Sequence, residues 1–422
     1  MARASSFLQL ESGRSSEIRH GSGTLASLEG LTAVALGLMV VRFTVGLVAD
    51  PFYPVYCIWV YRVAVVLLVP GFIIALLRPS SWLPVLMTTF SLVIFIARVF
   101  DADNPETYLP VVAGTLTAIS ATTIRGIAAL RALCWTFGAL AMAAALLLLA
   151  GDFASGGFRG RLGYGWSAAY ALEMRLPPNA PPIFNPNEAA LSLAMLLSFA
   201  LSLVPAGSGM IARASGWLMA VCVAVTLILT GSRGMMVAGF LGFAISIRAF
   251  VAGRLRISQL IALLPLTLSV AIGMATLSNE LWADSLSRGD LSDDLATLGD
   301  RYPIWESSLN RLLEHPIFGP GRELMGVEVL SPHNAVISAG ELSGMVGASI
   351  FVLLLIATLL HVRHSKCFGA PIAICVFAAG LSMDTLTHPL AWAVFGLGCS
   401  PAAKVICRGT RSTVLRRQNS PR

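Results

Sequence analysis

Three short stretches of this chain hold residues that can do chemistry, and each borders an apolar run. In "SPHNAVISAGELSGMVG", His333 and Asn334 open a helix. A helix dipole disfavours positive charge at the N-terminus, so an imidazole there stays neutral and suits a proton acceptor. In "LTGSRGMMVAG", Arg233 lies in a turn between Gly231 and Gly234. Those glycines allow a tight turn and leave the guanidinium approachable, although a snorkelling interfacial arginine explains the same pattern. In "LGDRYPIWESSLNRLLEHPIFGPGRELMG", Asp300 can cap a short helix that carries Arg301 and tolerates Pro303 in its first turn. Trp305, Leu309, Leu312 and Leu313 then form an apolar stripe, which Pro316 and the glycines at 319 and 321 end.

The elements that must position these residues follow from composition. The chain is 56% hydrophobic and 12% charged, with a net charge of +7 and a mean hydropathy of +0.77. That much apolar surface does not fit a soluble core, so an integral membrane protein is expected. Apolar runs of roughly 18 to 25 residues recur, which matches membrane-crossing helices and excludes the shorter strands of a β-barrel. The expected fold is all-α and polytopic, with about twelve spans. They lie near 25–48, 52–77, 82–100, 107–124, 127–150, 186–205, 212–230, 234–252, 257–278, 334–360, 369–384 and 388–406. Residues 1–24 are too long for the n-region of a cleaved signal, so the first span is expected to remain as an anchor. The membrane domain then covers 25–406, with a basic tail at 407–422 and a large loop at 279–333 carrying short helices.

Basic residues sort the loops. Arg3, Arg14, Arg19, Arg78, Arg125, Arg131, Arg213, Arg248, Arg254, Arg256, Arg363, Lys366 and the tail fall on one side, expected to be cytoplasmic. The opposite face, periplasmic in a two-membrane bacterium, receives 101–106, 151–185 and 279–333, and with them His333. The net charge reflects this topology and does not point to nucleic acid; acidic membrane lipids are the expected partners of the tail. The seven cysteines fall in spans or on the cytoplasmic side, so neither a disulfide nor a metal site is expected. Arg311 and Glu314 read as solvated charges on a helix against the membrane or across the bundle mouth. Arg42 and Arg98 read as snorkelling outward, and Arg62 lies deeper. In "IFNPNEAALSLAM", Asn185 or Asn187 caps a span, and Glu188 at the rim is a candidate acceptor-binding carboxylate. Asp384 and His388 return to the outer face.

In order, "FNPNEAA", "GSRG", "DRYPIWESSLNRLLEHPIFGPG" and "HNAVISAGELSGMVG" resemble the O-antigen ligase and polysaccharide polymerase family over roughly 180–350. That family comprises inner-membrane glycosyltransferases whose donors are undecaprenyl-pyrophosphate-linked glycans. The resemblance implies that Arg233 and Arg301 contact the donor pyrophosphate and that His333 activates the acceptor hydroxyl on the periplasmic side. Arg322, Asn334 and Glu188 are possible accessories, and no metal or other cofactor is implied. It further implies a glycan or lipid A core as acceptor, with polysaccharide assembly proteins as possible partners. A polymerase of lipid-linked repeats is the preferred reading, because no extended periplasmic acceptor domain is evident; a ligase acting on lipid A core is the alternative. Two other classes remain: a multi-span transporter of an anionic solute using buried arginines such as Arg62, and a non-catalytic assembly scaffold.

Overall fold

The computed structural model describes residues 22–45, 53–77, 81–100, 105–154, 186–206, 210–230, 232–252, 291–321, 323–324, 327–328, 332–363, 368–381, 383 and 385–405. Helices α1 (Ser22–Val45), α2 (Tyr53–Leu77), α3 (Leu83–Phe100), α4 (Pro105–Ala121) and α5 (Ile127–Ala154) form the first half. They are followed by α6 (Pro186–Ala206), α7 (Met210–Leu229), α8 (Arg233–Ala252) and α9 (Leu291–Glu314). A two-residue antiparallel ladder pairs β1 (Glu323–Leu324) with β2 (Val327–Glu328), and α10 (Ala335–Val362), α11 (Gly369–Gly380) and α12 (Pro389–Gly398) complete the bundle.

Among the described residues, the regular structure is all-helical apart from that ladder. Among the described residues, Val60–Leu77, Ile127–Leu146 and Ala335–Val362 are long and apolar enough to cross a membrane, and shorter apolar helices accompany them. Expected spans within the described residues coincide with helices. The span at 257–278, the loop at 155–185, the segment before Ser22, the tail beyond Val405, Arg322 and Asp384 lie outside the described residues.

Apolar side chains such as Val66, Leu77, Leu218 and Leu353 face outward, while small residues let helices meet inside. A Cβ on Gly396 of α12 would collide with the Ala118 carbonyl of α4. Phe90 links α3 to Phe351 of α10 (5.3 Å) and to Trp392 of α12 (6.3 Å). Phe199 of α6 packs at a tilt against Phe137 of α5 (4.8 Å) and edge-to-face with Phe368 before α11 (5.4 Å).

Hydrogen bonds mark the two ends of the bundle. At one end, the Glu29 carboxylate of α1 accepts from the backbone N–H groups of Arg125 (2.7 Å) and Gly126, and Ala402 donates to the Ile124 carbonyl (3.2 Å). The ring of His361, late in α10, approaches the Cys399 carbonyl at 3.1 Å on the same end. At the other end, Arg98 in the last turn of α3 reaches the segment after α9. Its Nη2 donates to the carbonyls of Phe318 and Gly319, the latter at 3.0 Å. Arg98 therefore does not snorkel outward as expected: it is fully buried. The two loop carbonyls take the place of the water that snorkelling would supply.

Two other expectations change. α9 does not start at Asp300 but at Leu291, with Asp293 and Asp294 in its first turn, where carboxylates are favourable. It runs on through Asp300 and Pro303, so a long helix stands where a short one was expected. The last two helices are shorter than expected, with 12 and 10 residues. The second stops before Pro401, which lacks the N–H needed to continue the ladder, and helical backbone resumes over 401–405.

The decisive local feature is a break in α10 at Ser343 (φ −153°, ψ 17°) and Gly344 (φ 69°, ψ −171°). In a continuous helix, Met345 N–H would donate to the Glu341 carbonyl. Here Met345 N–H donates to the Pro316 carbonyl (2.8 Å), and the Glu341 carbonyl accepts from Gly321 N–H (3.1 Å). The segment 316–321 thus fills the break. Gly319 (φ 75°) lies so close that a Cβ would strike the carbonyls of Gly340 and Glu341.

Arg98→Met should lower the stability of the full chain in detergent by roughly 2 kcal/mol, because two inward carbonyls lose a charged donor. Arg98→Lys should recover part of that loss, and thermal unfolding measures both.

Candidate functional site

The N-terminal half of α10 begins with a well-formed cap. Asn334 is extended (φ −143°, ψ 118°), and its side-chain oxygen accepts from the N–H groups of Val336 (3.0 Å) and Ile337 (3.3 Å). Capping accounts for asparagine at this position. His333, just before it, is exposed and has φ 50°, the sole positive value outside glycine among the described residues. Side chains with a Cβ rarely adopt that conformation. Pro332 is buried, and its carbonyl accepts a 2.6 Å hydrogen bond from the indole N–H of Trp305.

Helix α9 is fastened to α10 a second time, two turns further on. Leu312 is buried against Gly340, where a Cβ would lie 2.8 Å from a Leu312 methyl. That approach lets Arg311 reach Glu341 at 2.5 Å and Ser308 Oγ at 3.2 Å. Glu341 is 1% exposed and Arg311 19%, so Arg311 is not the solvated charge expected from sequence. Glu314 is exposed as expected, but the stripe divides: Leu312 is buried and Trp305 half-buried, whereas Leu309 and Leu313 are exposed. Sequence reasoning missed Glu341. The available signal was a carboxylate inside the apolar run "ISAGELSG", since an ionisable residue within a membrane helix is a functional hypothesis by default.

The remaining candidates share this end of the bundle. α8 packs on α11 where Gly242 meets Pro371 and Cys375, and Gly380 at the far end of α11 packs on Ala335 beside the cap. Cys375 Sγ donates to the Ala194 carbonyl beside Gly239, whereas Pro371 meets Gly242, so α11 runs antiparallel to α8, and Arg233, the first residue of α8, lies at the same end as His333. Gly239 of α8 meets Ala194 of α6 at a similar distance from each helix start, which brings the first turn of α6, with Glu188, there too. Arg301 lies in α9 one turn before Trp305. The N-terminus of α8 also turns backbone N–H groups toward this end, a disposition that favours anions. Among the described residues no group of three His, Cys, Asp or Glu side chains is arranged to hold a metal ion.

The family model described as O-antigen ligase matches residues 218–352, and the match supports membership of that family. The matched stretch contains Arg233, Arg301, Arg322, His333, Asn334, Arg311 and Glu341, while Glu188 and Arg98 lie before it. No curated protein matches the chain.

Removing one partner of the Arg311–Glu341 pair should cost roughly 3–5 kcal/mol, because the other charge remains buried. In a double-mutant cycle of Arg311→Met and Glu341→Met followed by thermal unfolding, the double variant should be more stable than either single variant.

Proposed function

We propose that this member of the O-antigen ligase family is an inner-membrane glycosyltransferase that polymerises undecaprenyl-pyrophosphate-linked oligosaccharide repeats on the periplasmic face. The observation that carries the reading is the common location of the starts of α8 and α10 and of helix α9, at the end of the bundle opposite Arg125 and Arg363. In this reading His333 takes the proton of the acceptor hydroxyl as its oxygen attacks the anomeric carbon of the donor. The bond from that carbon to the pyrophosphate oxygen breaks, the electron pair leaves with the lipid pyrophosphate, and a single displacement inverts the centre. Arg233 and Arg301 meet the developing negative charge, a task suited to a planar guanidinium that stays ionised at any relevant pH. Arg322, Asn334 and Glu188 are accessories, with Asn334 acting through its cap. An apolar groove lined by Ala335, Val336, Phe351, Leu381 and Trp392 starts beside the cap and suits the lipid part of a donor.

A ligase that transfers the finished glycan to lipid A core is the second reading, favoured by the description of the matched family. The two use the same donor and differ in the acceptor.

The test is a deletion strain complemented with wild-type or variant protein at equal abundance, followed by chain-length analysis of carrier-linked glycan and surface polysaccharide. His333→Ala, Arg233→Ala and Arg301→Ala should each insert normally and lose at least about 100-fold in transfer. Single repeats left on the carrier identify a polymerase, and long chains stranded there identify a ligase. Wild-type polysaccharide from His333→Ala would remove the site assignment.

A further inference from the structure

We propose that Trp305 is a positioning residue: its indole N–H holds the peptide before His333 and so fixes the direction in which the imidazole leaves the backbone. The inference rests on the reading of His333 as the acceptor base. The direction of a Cα–Cβ bond is set by the two peptide planes that meet at that residue. On the C-terminal side, the peptide from His333 leads straight into Asn334, which is itself held: its carbonyl accepts from Ser338 N–H (2.9 Å) and its side chain caps α10. The plane on the N-terminal side contains the Pro332 carbonyl, the acceptor of the 2.6 Å bond from Trp305. With that plane held by Trp305 and the following residue anchored in the cap, φ 50° persists although it is unfavourable for a residue with a Cβ. Such conformations survive where the surroundings over-determine them, and they cluster at functional sites.

The apolar stripe explains a large hydrophobic side chain at 305, but not its hydrogen bond. Phenylalanine or leucine would fill the same place, whereas indole adds a donor and no acceptor, and that donor meets the carbonyl next to His333. α9 is also a fixed strut. Leu312 against Gly340 and Arg311 with Glu341 anchor it two turns beyond Trp305. Arg301 stands one turn before Trp305 on the same helix. One helix thus sets the base and a proposed pyrophosphate contact relative to each other, the geometry an in-line displacement needs.

The test replaces Trp305 in the full chain with 3-benzothienylalanine, which keeps the shape of the ring but has sulfur in place of the N–H. Trp305→Phe serves as a second variant. The probe is the lipid-linked glycan extracted from the deletion strain, assayed with purified protein in parallel with wild type and His333→Ala. The proposal expects kcat to fall about 10- to 100-fold in both variants, with donor KM within about twofold and the thermal midpoint of the benzothienyl variant unchanged. Wild-type kcat in the benzothienyl variant would overturn it, as would loss of kcat only in step with a lowered thermal midpoint. Absence of transfer by wild type itself would overturn the function reading and this inference with it, a result distinguishable from an active wild type with an unaffected variant.

Discussion

The structure turns on one exchange of backbone hydrogen bonds. Where α10 breaks, the Glu341 carbonyl and the Met345 N–H give up each other and bond to Gly321 and Pro316. A broken helix at membrane depth is tolerable only when protein lines the break, since hydrocarbon offers no partners. The segment 316–321 supplies that lining, and its fit requires glycine at 319 and 344, where both backbones have positive φ and approach within collision distance of a Cβ. Arg98 secures the segment by donating to the carbonyls of Phe318 and Gly319. The break, the turn and the buried arginine depend on one another, and they join the first half of the chain to the family-matched stretch.

The exchange makes the N-terminal half of α10 a short helix oriented by α9. Trp305 holds its entry, and Arg311 and Leu312 hold its side. His333 stands at the tip of this half-helix, on an end of the bundle shared by the starts of α6 and α8. Rigid support matters for a group proposed to move a proton, because a small displacement of a reacting group slows transfer steeply. The buried Arg311–Glu341 pair contributes register more than net stability, for an ion pair taken out of water recovers little beyond its desolvation cost.

Much of the helical layout was legible in the sequence because a span announces itself by length and composition. The start of a helix at His333 and Asn334 was legible for a similar reason, and the structure adds that Asn334 is its cap. Contacts distant along the chain carry no such signal. Arg98 meets Gly319 across 221 positions, so a basic residue late in an apolar run could only be read as snorkelling. Arg311 resembled a surface charge because its partner lies 30 residues on, inside a run that read as an unbroken span. "LSGMVG" passes as span sequence, and only the arrival of 316–321 distinguishes a break from a continuous helix. Asp300 has the chemistry of a cap, and Pro303 is compatible with a first turn, but the helix has already started at Leu291.

The central claim is that the turn after α9 sits in the break of α10. It is tested most directly by a P316C/M345C pair in a full chain whose seven natural cysteines are replaced. Residues 316 and 345 are joined by a 2.8 Å backbone hydrogen bond and both are exposed, so mild oxidation in native membranes should link them in high yield. Mass spectrometry of the cross-linked peptide reports the bond. Folded protein at normal abundance whose two thiols stay free under oxidation would contradict the account.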